Sequence, residues 1–358
     1  CIGCANLRNS KYCVFNKQLS EKEYNEFLVK NPLSSFKSLE EIKKESEKVW
    51  INSPKRNLFI LNSVNVSGNY IENSKNSKDV FYATKVENSR YVNIGGWNND
   101  CYDLTANGAS EFSYECVSGG GYYNGKFTLS CMASDPLKKK HSFDLEYSIM
   151  VSSSQNCFGC VNLRNGEYSI LNKRYSKEEY EELVPKIIQH MNDMPYVDSK
   201  GRVYKYGEFF PAEISPFGYN ETVAMDYYLL NREEAKEKGY LWEDFSSDIN
   251  YEFSDYDISD NIKDVKEDIL EKILKCEISG KAYKIIKKEF DFYKKMNLPI
   301  PRKSPRVRHQ EKIKMILPRK LWYRKCMKKG CNNEFETSYA PDRPEIVYCE
   351  RCYQQEVY

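Results

Sequence analysis

At 358 residues the chain has room for two or three domains, and with 41% apolar residues, 14% aromatic residues and 29 tyrosines it is composed to fold rather than to stay disordered. The formal charge of +2 points by itself to no class of partner, and no apolar run approaches the roughly 18 residues of a membrane-spanning helix. The 13 cysteines, an odd number with several in close pairs, read as metal ligands or core thiols of a reducing compartment. That puts the cytoplasm first, and because the sequence begins at Cys1 rather than Met, a virion or extracellular location stays open.

Residues 1–56 form a first unit, and its opening thirty residues recur. The stretch CIGCANLRNSKYCVFNKQLSEKEYNEFLVK at 1–30 aligns without a gap to CFGCVNLRNGEYSILNKRYSKEEYEELVPK at 157–186, with 15 identical positions, which marks a duplication. Each copy ends in a predicted helix. Ser20 and Ser176 are its N-caps, and Glu23 and Glu179 sit three residues on as capping-box partners. Cys1, Cys4, Cys157 and Cys160 make two CxGC pairs that together could hold one ion. In the first copy Cys13 could join Cys1 and Cys4, whereas the second has Ser169 there and lacks an obvious third ligand; separate sites completed by other ligands are a further alternative, and buried core thiols are the leading reading. Leu39–Trp50 predicts a second helix, ended by Pro54.

Residues 57–156 change character, to short apolar pieces separated by Asn, Ser and Gly. Phe81, Tyr91, Tyr102 and Phe112 recur at 10 or 11 residues, and Cys101, Cys116 and Cys131 at 15. Even spacing of short strands predicts a β-solenoid or curled sheet, with Cys101 and Cys116, or aromatics such as Tyr91 and Tyr102, stacked inside on successive rungs, against a β-sandwich as the alternative. The repeat NCFGC then becomes a late rung. Residues 157–220 carry the second CxGC-helix unit and a connector. Residues 221–264 hold a helix and an acidic linker, with 13 acidic against 4 basic residues. From Val265 to the end the balance reverses to 23 basic against 13 acidic residues, and Asp264–Leu274 predicts a helix leading into this basic module.

The C-terminal stretch LWYRKCMKKGCNNEFETSYAPDRPEIVYCERCY places Cys326 and Cys331 in one tight turn and Cys349 and Cys352 in another. Two such pairs make a closed Cys₄ site for zinc, structural rather than catalytic because no coordination position is left open. The fold expected is therefore mixed and mainly β: a solenoid-like or curled β region flanked by duplicated CxGC-helix units, with a C-terminal zinc ribbon.

Over 276–352, on FDFYKKMNLPIPRKSPRVRHQ, LWYRKC and SYAPDRPEIVYCERCY, the chain resembles a family of cysteine-rich zinc-binding proteins of uncultured bacteria. SPFGYNETVAMDYYLLNREEAKEKGY and the NLRN repeat extend the likeness. The resemblance implies a zinc fold and carries no activity with it. It also implies a CxxC at Cys276–Ser279 and another at Ser304–Val307. Only Cys276 remains here, so the resemblance implies that this upstream module has lost its metal.

Enzyme signatures are missing from the sequence. His141, His190 and His309 lie in unlike segments, and no HExxH, GxSxG or phosphate-loop motif occurs. Asp79, Glu87, Asp103 and Glu111 could supply a carboxylate pair for glycan cleavage on a solenoid, though nothing in the sequence orders them. For nucleic acid the candidates are Lys312, Lys314, Trp322, Arg324 and Lys325, cations for phosphates and a ring for bases. The leading expectation is a zinc-stabilised structural or protein-interaction protein, with a protein partner or a homo-oligomer. Nucleic-acid binding is the first alternative and a glycan-cleaving solenoid the second.

Overall fold

The computed structural model describes residues 1–133, 142–244 and 251–357. The chain divides into two units. One comprises Cys1–Asn57, Phe245–Pro318 and Trp322–Tyr358; the other comprises Leu58–Asp244 with Arg319–Leu321.

The second unit is a β-solenoid of about nine turns. Its strands stack in sequence order as a parallel sheet from Ile60–Leu61 to Glu167–Ile170, and the short strand Lys173–Arg174 closes it antiparallel. Most rungs are twelve residues long: Arg90, Tyr102, Tyr114 and Lys126 are partners on successive rungs, while the first step, Ile60 to Ile71, takes eleven and that from Tyr122 to Ser142 takes twenty. Within a rung the chain turns every third residue through a left-handed backbone, as at Asn73, Asn76, Asp79, Tyr82, Lys85 and Asn88. Asn and Asp tolerate that region best, which accounts for the Asn-rich composition. Asparagines on neighbouring rungs bond to one another, Asn65 Nδ2 to Asn76 Oδ1 at 3.1 Å and Asn88 Nδ2 to Asn99 Oδ1 at 3.4 Å.

The residue after each left-handed corner points inward. The interior is a stack of small and branched side chains, among them Ile71, Val80, Val86, Val92, Leu104 and Leu145. Two inward columns lie where the sheet ladder does not reach the backbone N–H. There, inward side chains accept from the next rung: Val86 N–H donates to Ser74 Oγ at 3.0 Å, Cys101 N–H to Ser89 Oγ at 3.0 Å, and Ser110 N–H to the Asn98 side chain at 3.2 Å. Buried Ser, Asn and Cys are therefore ladder members, because an unpaired N–H inside would cost more than a small polar side chain.

The cysteine spacing of 15 is one rung plus one triplet, so Cys101, Cys116 and Cys131 all point inward, on different columns. The aromatic expectation fails: Tyr91 and Tyr102 are 41% and 50% exposed. A twelve-residue rung is too narrow for a ring at each level. Tyr122 is the one aromatic among the largest fully buried side chains of this unit, and most rings ladder outside instead. Phe59, Tyr70 and Tyr82 stack there with centroids 5.0 and 4.7 Å apart.

The second CxGC copy is the last rung. Leu145 pairs with Cys157, and both Cys157 and Cys160 are buried in the inner stack. Helix Lys177–Asp193 follows, its Ser176/Glu179 capping box formed as expected. The first copy, in the other unit, has the same local bonds. Asn16 N–H reaches Cys4 Sγ at 3.3 Å and Asn172 N–H reaches Cys160 Sγ at 3.4 Å; Ala5 N–H reaches the Asn16 side chain at 2.9 Å and Val161 N–H the Asn172 side chain at 2.8 Å. Helix Phe36–Asn52 lies against this copy, Trp50 Nε1 donating to Cys4 O at 3.2 Å.

In the first unit the acidic stretch is no solvated linker where it is described; residues 245–250 lie outside the described residues. Tyr256 and Ile258 pack on a core that contains Ile262, Val265 and Ile269, and Asp260 caps helix Phe36–Asn52 by accepting from Ser35 Oγ and Lys37 N–H. Nor is Asp264–Leu274 one helix. Two short 3₁₀ turns, Ile262–Asp264 and Glu267–Glu271, precede strand Leu274–Lys275. Ile273 exchanges bonds with Ser254, which draws the end of the segment into extended chain.

Candidate metal centre

Hairpin strands Trp322–Lys325 and Glu334–Thr337 pair antiparallel and present Cys326 at the strand end and Cys331 in the turn. Gly330 holds that turn with φ at +82°, in open space, a conformation an L side chain resists. Strand Val347–Tyr348 pairs in parallel with Lys55–Arg56, which fixes the point at which Cys349 leaves it. Cys349 immediately precedes helix Glu350–Val357, and Cys352 lies in the first turn of that helix.

The four sulfurs all lie within 4.8 Å of one another, with Cys331 and Cys349 at 4.0 Å. A tetrahedral ion with metal–sulfur bonds of about 2.3 Å needs sulfurs about 3.8 Å apart, so the thiols fit a closed S₄ site. Cys326, Cys349 and Cys352 are buried and Cys331 is half-buried. The Cys349 N–H donates to Cys326 Sγ at 3.3 Å, the kind of second contact that orients a thiolate ligand. Burial raises the Cys326 and Cys352 thiols. It works against Cys349 too, but there the Cys352 N–H and the neighbouring side chains prevail and lower it. Among the described residues no other group of Cys, His, Asp or Glu gathers this closely.

The same architecture occurs a second time with Cys276 alone in place of four thiols. Hairpin strands Leu274–Lys275 and Ala282–Tyr283 present Cys276, and Ser304 caps helix Pro305–Met315, with Val307 in its first turn. Cys276 Sγ accepts the Ser304 N–H at 3.2 Å, as Cys326 accepts that of Cys349, and the Ser279 N–H at 3.5 Å. Burial pushes this thiol up, but the Ser279 hydroxyl and the backbone N–H groups of Ser304, Ser279 and Ile278 bring it down to about 6. Hydrogen bonds hold this turn together. The sequence shows CEIS and SPRV here and gives no sign of that network.

Cys1 is exposed and Cys4 half-buried in the first unit, while Cys157 and Cys160 are core thiols of the second. Lys312 and Lys314 are exposed on helix Pro305–Met315. Trp322 is half-buried. Arg324 turns inward, donating to Ala340 O at 3.3 Å and Glu345 O at 3.5 Å, and Lys325 pairs with Glu334 at 3.6 Å. Of the carboxylates weighed for glycan cleavage, Asp79 is bonded to Arg90 at 3.1 Å and Glu87 to Lys75 at 2.9 Å. Burial raises Asp103, opposed by Arg90. His190 ends helix Lys177–Asp193, His309 is exposed on Pro305–Met315, and His141 lies outside the described residues.

No helix among the described residues is long and apolar enough to cross a membrane. No protein-family model matches the chain, and no curated protein matches it.

Proposed function

We propose that the protein is a non-catalytic scaffold or protein-interaction protein whose C-terminal module is held by one structural zinc ion. The observation that carries this reading is the gathering of Cys326, Cys331, Cys349 and Cys352 into a mostly buried S₄ cluster with every position taken. Thiolate ligands in tetrahedral order favour zinc, and a closed site stabilises without offering a place for substrate. The long ladder of the solenoid supports the scaffold part, since it supplies rigid surface. Its partner on this reading is another protein or a second copy, in the cytoplasm. The resemblance to cysteine-rich zinc-module proteins of uncultured bacteria agrees with it.

Nucleic-acid binding is the second reading, favoured by Lys312 and Lys314 on an exposed helix face. The surrounding charges weigh against it. Arg302, Lys303, Arg308, Lys325, Lys328 and Arg343 each have a carboxylate partner in their own unit, so much of the basic run is already neutralised. Electrophoretic shift of DNA and RNA at low salt, beside light scattering, separates the readings. A defined oligomer without a shift supports the scaffold. A shift that vanishes with salt and with Lys312→Ala/Lys314→Ala supports nucleic acid.

A further inference from the structure

The side of the solenoid carries a groove of about 590 Å³, within the size range of small-molecule sites. Two neighbouring outward columns create it. One reads Thr84, Gly96, Gly108, Gly120 on successive rungs. The next, at the same twelve-residue step, reads Lys85, Trp97, Ala109, Gly121. The floor is enforced by the rungs themselves, because a Cβ on Gly120 would sit 1.9 Å from Gly108 O.

The walls are rings and one charge. Trp97 is 59% exposed at one end. Glu111, Tyr123 and Phe143 follow one another up a single column, and Met132, Gly119 and the buried Tyr122 also line the groove. Among the described residues no lysine or arginine lines the groove, and Glu111 has no ion pair there. Trp97 already takes a cation from the rung below, where Lys85 Nζ stands 5.4 Å from its ring centroid. Above Trp97 the same column continues through Ala109 and Gly121, neither large enough to cover the ring.

We propose that this groove binds an organic cation with an alkylated ammonium head, such as a trimethylammonium group. The three exposed rings, Trp97, Tyr123 and Phe143, and a thioether suit the methyl shell of such a cation, whose charge is attracted by ring faces. The Glu111 carboxylate supplies the complementary charge. Among the described residues the lining offers few hydrogen-bond donors, which suits a ligand that needs none and disfavours phosphates or carboxylates. The head could belong to a free solute or to a choline lipid; the chemistry is the same.

Calorimetric titration of the full chain with choline tests this, against the neutral carbon isostere that keeps its shape and loses its charge. Choline is expected to bind at least about tenfold more tightly than the isostere. Glu111→Gln should cost about tenfold in choline affinity and leave the isostere unaffected. Ala109→Tyr should abolish binding by refilling the column; its left-handed backbone, φ 54°, already carries a tyrosine at Tyr82 and Tyr91, and unchanged circular dichroism checks the fold. Pelleting with phosphatidylcholine vesicles but not with phosphatidylglycerol vesicles assigns the head to a lipid. Choline binding without pelleting assigns it to a solute. Equal affinity for choline and isostere, no binding of choline in either form, or undiminished binding by a folded Ala109→Tyr variant overturns the proposal.

Discussion

Replacing Ser89 by alanine tests the inner ladder of the solenoid at a single atom. Ser89 is 3% exposed; its Oγ accepts the Cys101 N–H at 3.0 Å and donates to Glu87 O at 2.6 Å. Ser89→Ala removes little apolar volume but strands a buried N–H, which costs roughly 1–3 kcal/mol. A central value of about 2 kcal/mol lowers the folding equilibrium about 30-fold. With a urea slope of about 2 kcal/mol/M, the midpoint of the solenoid transition should fall by about 1 M. Ser89→Cys should recover most of the loss, because a thiol does the same work at Cys160, which accepts the Asn172 N–H at 3.4 Å. Urea unfolding followed by far-ultraviolet circular dichroism reads both variants. If Ser89→Ala unfolds within about 0.3 M of the parent, the inward hydroxyls are fillers and the ladder argument is wrong.

Leu145→Ala, at a fully buried rung position, should destabilise the same transition by about 2–5 kcal/mol; a loss below 1 kcal/mol would mean that the rung collapses around the gap. Cys276 should ionise near 6, read from the pH dependence of its β-carbon NMR shift, whereas titration near the ordinary thiol value would show that the N–H contacts do not hold a thiolate. Because that folded value lies below the unfolded one, its contribution to stability is complete above about pH 9 and is lost as pH falls towards 6. Cys349→Ser should release the C-terminal metal and loosen residues 322–357, as measured by hydrogen exchange, while leaving the solenoid protected; equal protection in parent and variant would separate the fold of this module from its cysteines.

The solenoid was legible because its period is written in composition: Asn recurs at left-handed corners and small residues recur inside. Its true repeat was harder to see. Inward residues come every third position and rungs every twelfth, so residues 15 apart such as Cys101 and Cys116 share the interior without sharing a column. Aromatics misled for a related reason, since Tyr91 and Tyr102 belong to the outer surface. The S₄ cluster was legible because chelation constrains spacing within each pair. The Cys276 network was not, because hydrogen bonds to a thiol from backbone N–H groups leave no residue signature. The packing of the partly buried Tyr256 and Ile258 on the core was hidden by the acidic residues around them. The groove beside Trp97 depends on glycines brought into register only by the twelve-residue rung.

On the proposed reading a metal ion is held by Cys326, Cys331, Cys349 and Cys352. Elemental analysis of the purified protein measures it directly. At least one zinc per chain is expected, released by chelation or acid together with loosening of the C-terminal module, since ligation needs deprotonated thiols. Protein that carries no zinc while these four cysteines are reduced would contradict the account.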